Sequence, residues 1–187
     1  MEHWLPRLEG EDRDSWQRPD QLADLLEISP GMEVADLGAG TGYFLSALSA
    51  AVGQEGRVLA LDVDQELVDY MAQRCRNDGL ANVDARLVAF DDPGLDVGSV
   101  DRVLIVDTWH HISGREAYAV KLAMALAAGG RVYVVDFTDE SPYGPSRAHR
   151  LSAVEVQAEL EAAGFETEVA DEDLPYQYVV VGRRAGP

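Results

Sequence analysis

The sequence contains one cysteine, Cys75, among 187 residues. No disulfide can form within the chain, and no cysteine-based metal site can be built; a reducing interior is the simpler setting. Basic residues are also scarce, with fifteen Lys and Arg against thirty-four Asp and Glu, for a formal net charge of −19. A surface of this sign repels phosphate backbones and anionic lipid, so nucleic acid and membrane surfaces are excluded as expected partners. The acid excess reads first as a solubility device and only second as a device for a cationic substrate. No apolar run approaches the length needed to cross a bilayer. The first fourteen residues mix acidic, basic and apolar side chains. That pattern is expected of neither a secretory signal nor a membrane anchor, and a cytoplasmic location is expected.

What is present is an ordinary globular composition, 47% hydrophobic and 26% charged. One domain over 1–187 is expected, with 1–18 as a polar N-terminal arm that is a candidate lid. The apolar periodicity switches between strand-like and helix-like, which signals βαβ units and a mostly parallel sheet. Pro19 opens a short helix with Leu22, Leu25 and Leu26 on one face, and Ser29-Pro30-Gly31 turns the chain. Strands are expected at 33–37, 57–61, 83–88, 100–106, 131–135, 165–170 and 176–181. The helical stripes between them are Phe44/Leu48/Val52, Leu67/Met71/Cys75 and Tyr118/Leu122/Leu126, the last ended by Gly129-Gly130. Ser152 and Glu155 form a capping-box pattern before Val156, Leu160 and Ala163. The stretch 136–151 reads as a long loop of functional character.

Asp36-Leu37-Gly38-Ala39-Gly40-Thr41-Gly42 joins a strand to a helix. Glycines there let the backbone turn tightly and approach a ligand without Cβ clashes. Nicotinamide, flavin and adenosyl cofactors all use such a turn. Three features narrow the choice. The spacing is Gly-x-Gly-x-Gly rather than the dinucleotide Gly-x-Gly-x-x-Gly. Asp36 beside the loop suits a ligand carrying an ammonium and a sulfonium better than one carrying a pyrophosphate. Asp62, at the end of the second strand, is placed to accept hydrogen bonds from both hydroxyls of a ribose.

Residues 34–42, Val-Ala-Asp-Leu-Gly-Ala-Gly-Thr-Gly, resemble the first motif of class I S-adenosylmethionine-dependent methyltransferases. Leu61-Asp62-Val63-Asp64 resembles their second motif. Gly98-Ser99-Val100-Asp101 and Trp109-His110-His111-Ile112 resemble the region around the fourth strand in the quinone and arsenite methyltransferase branch, and Gly129-Gly130-Arg131 fits as well. The likeness runs in order from about Leu22 to Arg183. It implies an α/β, doubly wound Rossmann-like fold, with a seven-stranded, mostly parallel sheet and one antiparallel strand. It implies S-adenosyl-L-methionine as cofactor, a small-molecule substrate, and a methyl-transfer activity. By the resemblance, Asp36 and Gly38, Ala39, Gly40, Thr41 and Gly42 hold the methionine end, Asp62 the ribose, and Val63 lines the adenine. The family's acid after strand three falls on Ala89; Asp91 is the substitute, with Phe90 on the adenine ring, or else Asp91 and Asp92 form a solvated turn. A single cysteine disfavours arsenite as substrate.

Methyl transfer is an in-line displacement, so a base is needed only where the acceptor must lose a proton. His110 or His111 is the candidate base, with Asp107 as its orienter or as a partner of the sulfonium; the other reading has one histidine capping the next helix or packing beneath the loop. Adjacent side chains diverge, so at most one faces the substrate. Asp107, Asp136 and a histidine would be the ligands under a divalent-metal reading, against which Asp136 caps a loop. Tyr143, His149 and Arg150 lie in the same stretch. Trp16 either closes the pocket or anchors the arm, with Gln17 or Arg18 near the methionine carboxylate. Tyr43 is either a lid contact or a packing residue. Two further functions stay open: a non-catalytic cofactor-binding module and a nicotinamide-dependent oxidoreductase. The acceptor and the oligomeric state are not legible.

Overall fold

The structure, a computed structural model, describes residues 5–10 and 12–184. The rest of the expected 1–18 arm, residues 1–4 and 11, lies outside the described residues. The arm is two short helices, α1 (Leu5–Leu8) and α2 (Arg13–Gln17), followed by α3 (Pro19–Leu25). Pro19 sits at the first turn of α3, where its missing N–H costs nothing.

Seven strands follow: β1 (Glu33–Leu37), β2 (Arg57–Asp62), β3 (Val83–Leu87), β4 (Val100–Val106), β5 (Leu126–Phe137), β6 (Phe165–Val169) and β7 (Gln177–Arg184). They form one sheet in the order β3-β2-β1-β4-β5-β7-β6. The pairs from β3 to β5 are parallel, whereas β7 runs antiparallel to both β5 and β6. The crossover helices are α4 (Leu45–Val52), α5 (Gln65–Asp78), α6 (Arg115–Ala125) and α7 (Ala153–Ala162).

Alternation along each strand feeds two cores. Val34 faces one side with Leu22, Leu45, Leu48 and Met71, and Ala35 and Leu37 face the other with Tyr118, Leu122, Val156 and Leu160. The first core is thus covered by α3, α4 and α5, and the second by α6 and α7. Arg102, buried in β4, donates from Nε to the carbonyl of Leu26 at 2.8 Å. This satisfies an orphan carbonyl at the end of α3 and fixes the helix that carries the arm. The expected capping box opens α7, with Ser152 Oγ accepting from the Glu155 N–H and Glu155 from the Ser152 N–H.

Three assignments around β5 differ from the sequence expectation. Leu126 is not the last residue of a helical stripe; the helix ends at Ala125 and Leu126 pairs with Val100 as the start of β5. Its side chain is fully buried, so the periodicity counted it correctly as core while assigning it to the wrong element. Gly129 and Gly130 lie inside β5 and terminate nothing. Asp136 also belongs to β5, so the loop that follows starts at Thr138.

Candidate active site

The carboxyl ends of β1, β2, β4 and β5 are neighbours in the sheet and each carries an aspartate: Asp36, Asp62, Asp107 and Asp136. In an open α/β sheet, ligand crevices form at this edge. The glycine loop leaves β1 here. Gly38, Gly40 and Gly42 have φ of +73°, +60° and +80°, a region that L-residues with a Cβ rarely adopt. A Cβ on Gly38 would lie 2.3 Å from Thr108 Oγ1. The loop can therefore tuck under the segment after β4 only because that position has no side chain. The N–H groups of Gly38 and Ala39 both donate to the Leu61 carbonyl, at 2.8 and 3.0 Å, tying the loop to the end of β2.

Asp62 is 6% exposed. Its Oδ2 accepts from the Gly40 N–H at 2.9 Å and its Oδ1 from the Asp64 N–H at 3.0 Å. Burial pushes its pKa up, and these backbone donors oppose that. A carboxylate has about four acceptor positions, so two bonds leave room for a diol. Asp36 is 2% exposed, and its Oδ2 has no partner. Burial raises its pKa to about 7, against the opposing charge of Arg13. Thr41 Oγ1 is a second buried polar atom without a partner, on the same loop. Native proteins rarely leave such atoms unpaired, and here both sit where a ligand would supply donors and acceptors.

Asp107 follows β4 with φ of +53°. Gln177 Nε2 donates to its Oδ1, and Arg13 Nη2 lies 4.0 Å from its Oδ2. Burial raises this carboxyl to about 7, with Arg13 opposing and Asp136 reinforcing the rise. Asp107 is therefore not the orienter of a histidine, one of the two roles the sequence left open to it. That place belongs to Asp136, whose two oxygens each lie 2.9 Å from His110 Nδ1. Asp136 also accepts from the Phe137 N–H at 2.9 Å. Trp109–His111 is one 3-10 turn. The two imidazole rings lie 4.1 Å apart, yet they differ in burial: the His110 side chain is 4% exposed, and His111 is on the surface. Among the described residues, no group of three or more His, Cys, Asp or Glu is arranged to hold a metal ion.

Val63 and Phe90, expected to meet an adenine, follow the carboxyl ends of β2 and β3, and both are exposed. The Asp91 carboxylate is exposed too, and its carbonyl accepts from Lys121. Asp92 forms the turn itself, accepting from the Gly94 N–H at 2.9 Å. After β5, Arg150 ties the loop together by donating to the carbonyls of Thr138, Tyr143 and Pro145, while His149 bonds Ser146.

The arm lies across this edge. A Cβ on Gly40 would sit 3.2 Å from Leu8 Cδ1. Arg13 stacks 4.0 Å over the Tyr43 ring, and Tyr43 donates to Asp14. Trp16 is buried, stacked on Tyr143 at 4.6 Å and tilted against Phe137 at 6.1 Å. Gln17 is fully buried, whereas Arg18 turns outward to pair with Asp173. Arg13 and Gln177 were not legible as site residues. Gln177 carried a faint signal, a polar residue inside the apolar run Tyr176–Val181; Arg13 carried none.

Residues 34–130 match the family described as "Methyltransferase domain". The chain belongs to that family. Among solved structures, a SAM-dependent methyltransferase from Aquifex aeolicus superposes with a TM-score of 0.90 at 27% identity, covering 97% of each chain. Curated relatives include a ubiquinone/menaquinone biosynthesis C-methyltransferase of Hydrogenovibrio crunogenus, 24% identical over 92% of this chain and 65% of that protein. Nocamycin O-methyltransferase of Saccharothrix syringae is 29% identical over 80% of this chain and 52% of that protein. The chain spans less than two thirds of the length of these curated relatives. The fold expectation of a doubly wound, seven-stranded methyltransferase sheet holds. The unpartnered Asp36 and Thr41 atoms with the Cβ-free loop fit S-adenosylmethionine, on which the Aquifex aeolicus protein depends. Among the described residues, no helix is long and apolar enough to cross a membrane.

Proposed function

We propose that the protein is a single-domain enzyme that transfers the methyl group of S-adenosylmethionine to a small-molecule nucleophile in the cytoplasm, with its arm as a lid that must open to admit the cofactor. The observation that carries this reading is the row of carboxylates at the strand ends. Asp36 beside the glycine loop suits the ammonium, and Asp62 suits the ribose hydroxyls, charge-assisted bonds of about 1.5–3 kcal/mol each. Asp107 lies where the sulfonium would be presented. Val63 and Phe90 offer an apolar edge to the adenine, with Asp91 within the same loop. The bound cofactor supplies an electrophilic methyl group; the protein orients the acceptor and excludes water.

His110 is the base in this reading. A neutral imidazole whose Nδ1–H is held by a carboxylate leaves Nε2 as the acceptor for a proton. Asp136 plays that part, and its 1% exposure keeps the pair dry. His111 lies on the surface. The relatives include a C- and an O-methyltransferase by name, so the acceptor atom is left open. The net charge of −19 favours a small molecule over nucleic acid.

The test is turnover of His110→Gln and His111→Gln, measured with an acceptor found by screening. The His110 variant should lose about 10²–10⁴-fold in kcat, the usual share of a general base. The His111 variant should lose far less, and cofactor affinity should hold in both. Normal turnover of the His110 variant would make the His110–Asp136 pair structural and leave orientation as the source of the rate. If cofactor binds and no acceptor is ever methylated, the non-catalytic module takes precedence.

A further inference from the structure

The arm's contacts with the site form a closed ring with one direction of hydrogen bonding. Arg13 Nε and Nη2 donate to Gln17 Oε1 at 3.3 and 3.2 Å. Gln17 Nε2 donates to Gln177 Oε1, and Gln177 Nε2 donates to Asp107 Oδ1. Arg13 Nη2, 4.0 Å from Asp107 Oδ2, closes the loop. Both amides are oriented the same way, with a cation feeding donors in at one end and an anion accepting at the other. Gln17 and Gln177 are 0% and 3% exposed, so each bond stands in for a buried group that would otherwise be unpaired.

The ring also sets where a charge sits. The Arg13 side chain is 13% exposed, and its charge stabilises the ionised forms of both Asp107 and Asp36. Those two carboxylates are the ones assigned above to the cofactor's sulfonium and ammonium. Leu8, from the same arm, lies against Gly40 of the cofactor loop. A guanidinium and the cofactor's cations would compete for the same buried negative field.

We propose that Arg13 is an intramolecular stand-in for the cofactor's positive charges, latched through Gln17 and Gln177, and that the cofactor must displace it to bind. Gln177 is then a positioning residue: it touches neither cofactor nor acceptor and acts by holding the arm to Asp107. The inference rests on the cofactor assignment made above. The ring adds to the Tyr43 stacking and the Leu8 carbonyl bond in holding Arg13 near Asp107. Because only the open fraction is competent, the apparent affinity for cofactor is lowered by that fraction.

The experiment is hydrogen–deuterium exchange of the 12–18 segment together with calorimetric titration of S-adenosylhomocysteine, in wild type, Arg13→Gln and Gln177→Leu. Without ligand, both variants should exchange the arm amides about tenfold faster, while the strand amides stay protected. Adding S-adenosylhomocysteine to wild type should speed arm exchange. Both variants should bind the ligand about 3–10-fold more tightly, because the competing state has been removed. Gln177→Leu keeps every charge in place, so it decides the matter if Arg13→Gln fails to fold. Weaker binding by the variants would make Arg13 a cofactor ligand and overturn the proposal. Slower arm exchange on ligand addition would make the arm a closing cover, and would overturn it too. Absence of binding in all three proteins would instead remove the cofactor assignment, while the ligand-free exchange would still report whether the latch exists.

Discussion

Asp36→Asn separates what the site needs from what the fold would prefer. The carboxyl of Asp36 is buried, and its pKa rises from 3.8 to about 7. In the folded protein it therefore holds a proton over a range in which the unfolded chain has released it. Stability falls with rising pH wherever the native state binds more protons. The cost is absent below pH 3.8, grows through the window from about 4 to 7, and is complete above it. At about 1.4 kcal/mol per pH unit, the full cost is about 4 kcal/mol. Asparagine carries no charge and removes this cost. It also places an amide N–H₂ where Oδ2 has no partner, which returns about 1–3 kcal/mol as an unmet donor. The cofactor-free variant should therefore gain about 1–3 kcal/mol at pH 8 and lose about 1–3 kcal/mol at pH 4, where only the unmet donor counts. Urea unfolding of both proteins across pH 4–8 measures this directly. Asp107 titrates in the same window and is unchanged by the substitution, so the wild-type slope should be reduced and not abolished. Cofactor affinity should move the other way, weakening by about 1.5–3 kcal/mol with loss of the charge opposite the ammonium. An unchanged pH slope, or a variant less stable than wild type at pH 8, would refute the reasoning from burial.

Asp62→Ala should weaken S-adenosylhomocysteine binding by at least about 1.5–3 kcal/mol in calorimetry, since it removes the diol acceptor and also frees the Gly40 and Asp64 N–H groups; unchanged affinity would place the ribose elsewhere. Gly38→Ala should destabilise the protein by about 1–3 kcal/mol in thermal unfolding, because its Cβ meets Thr108 at 2.3 Å and its φ is +73°. Relieving the clash with Thr108→Ala should recover only part of that loss, since the residue 108 Cβ still lies 2.9 Å away and the backbone strain remains.

The features legible in the sequence were those set by local chemistry. Glycines at +φ positions, a Ser-x-x-Glu cap and alternating strands announce themselves because the requirement lies within a few residues. The Leu126 boundary did not, because a buried leucine is equally at home at the end of a helix and at the start of a central strand; its pairing with Val100 decides. The site shows the same divide. Asp36 and Asp62 were readable from their positions at strand ends. His110 was readable as a candidate, but its partner was not: Asp107 is nearer in sequence, and Asp136 wins because β5 is the parallel neighbour of β4. Gln177 enters from the antiparallel β7, whose Gln177 pairs with Phe137, one residue beyond Asp136. No local pattern contains that information.

Parallel order explains why these acids converge at all. Strands β1, β2, β4 and β5 all end at the same edge of the sheet, so a residue closing each of them meets its neighbours without any further folding instruction. The carboxylates gathered there repel in two pairs, Asp36 with Asp62 and Asp107 with Asp136, and Asp36 and Asp107 resist burial. The rise of Asp36 and Asp107 to about 7 is the physical record of that strain. Something positive must offset it in each state the protein visits. In the arm-displacement proposal, Arg13 supplies that charge from within the chain while the arm is down, and the cofactor's ammonium and sulfonium would supply it from outside once bound. An edge built this way binds a cationic ligand more tightly than a neutral one of the same shape. It should also favour S-adenosylmethionine over its neutral-sulfur product, which would release the product once the methyl group has gone.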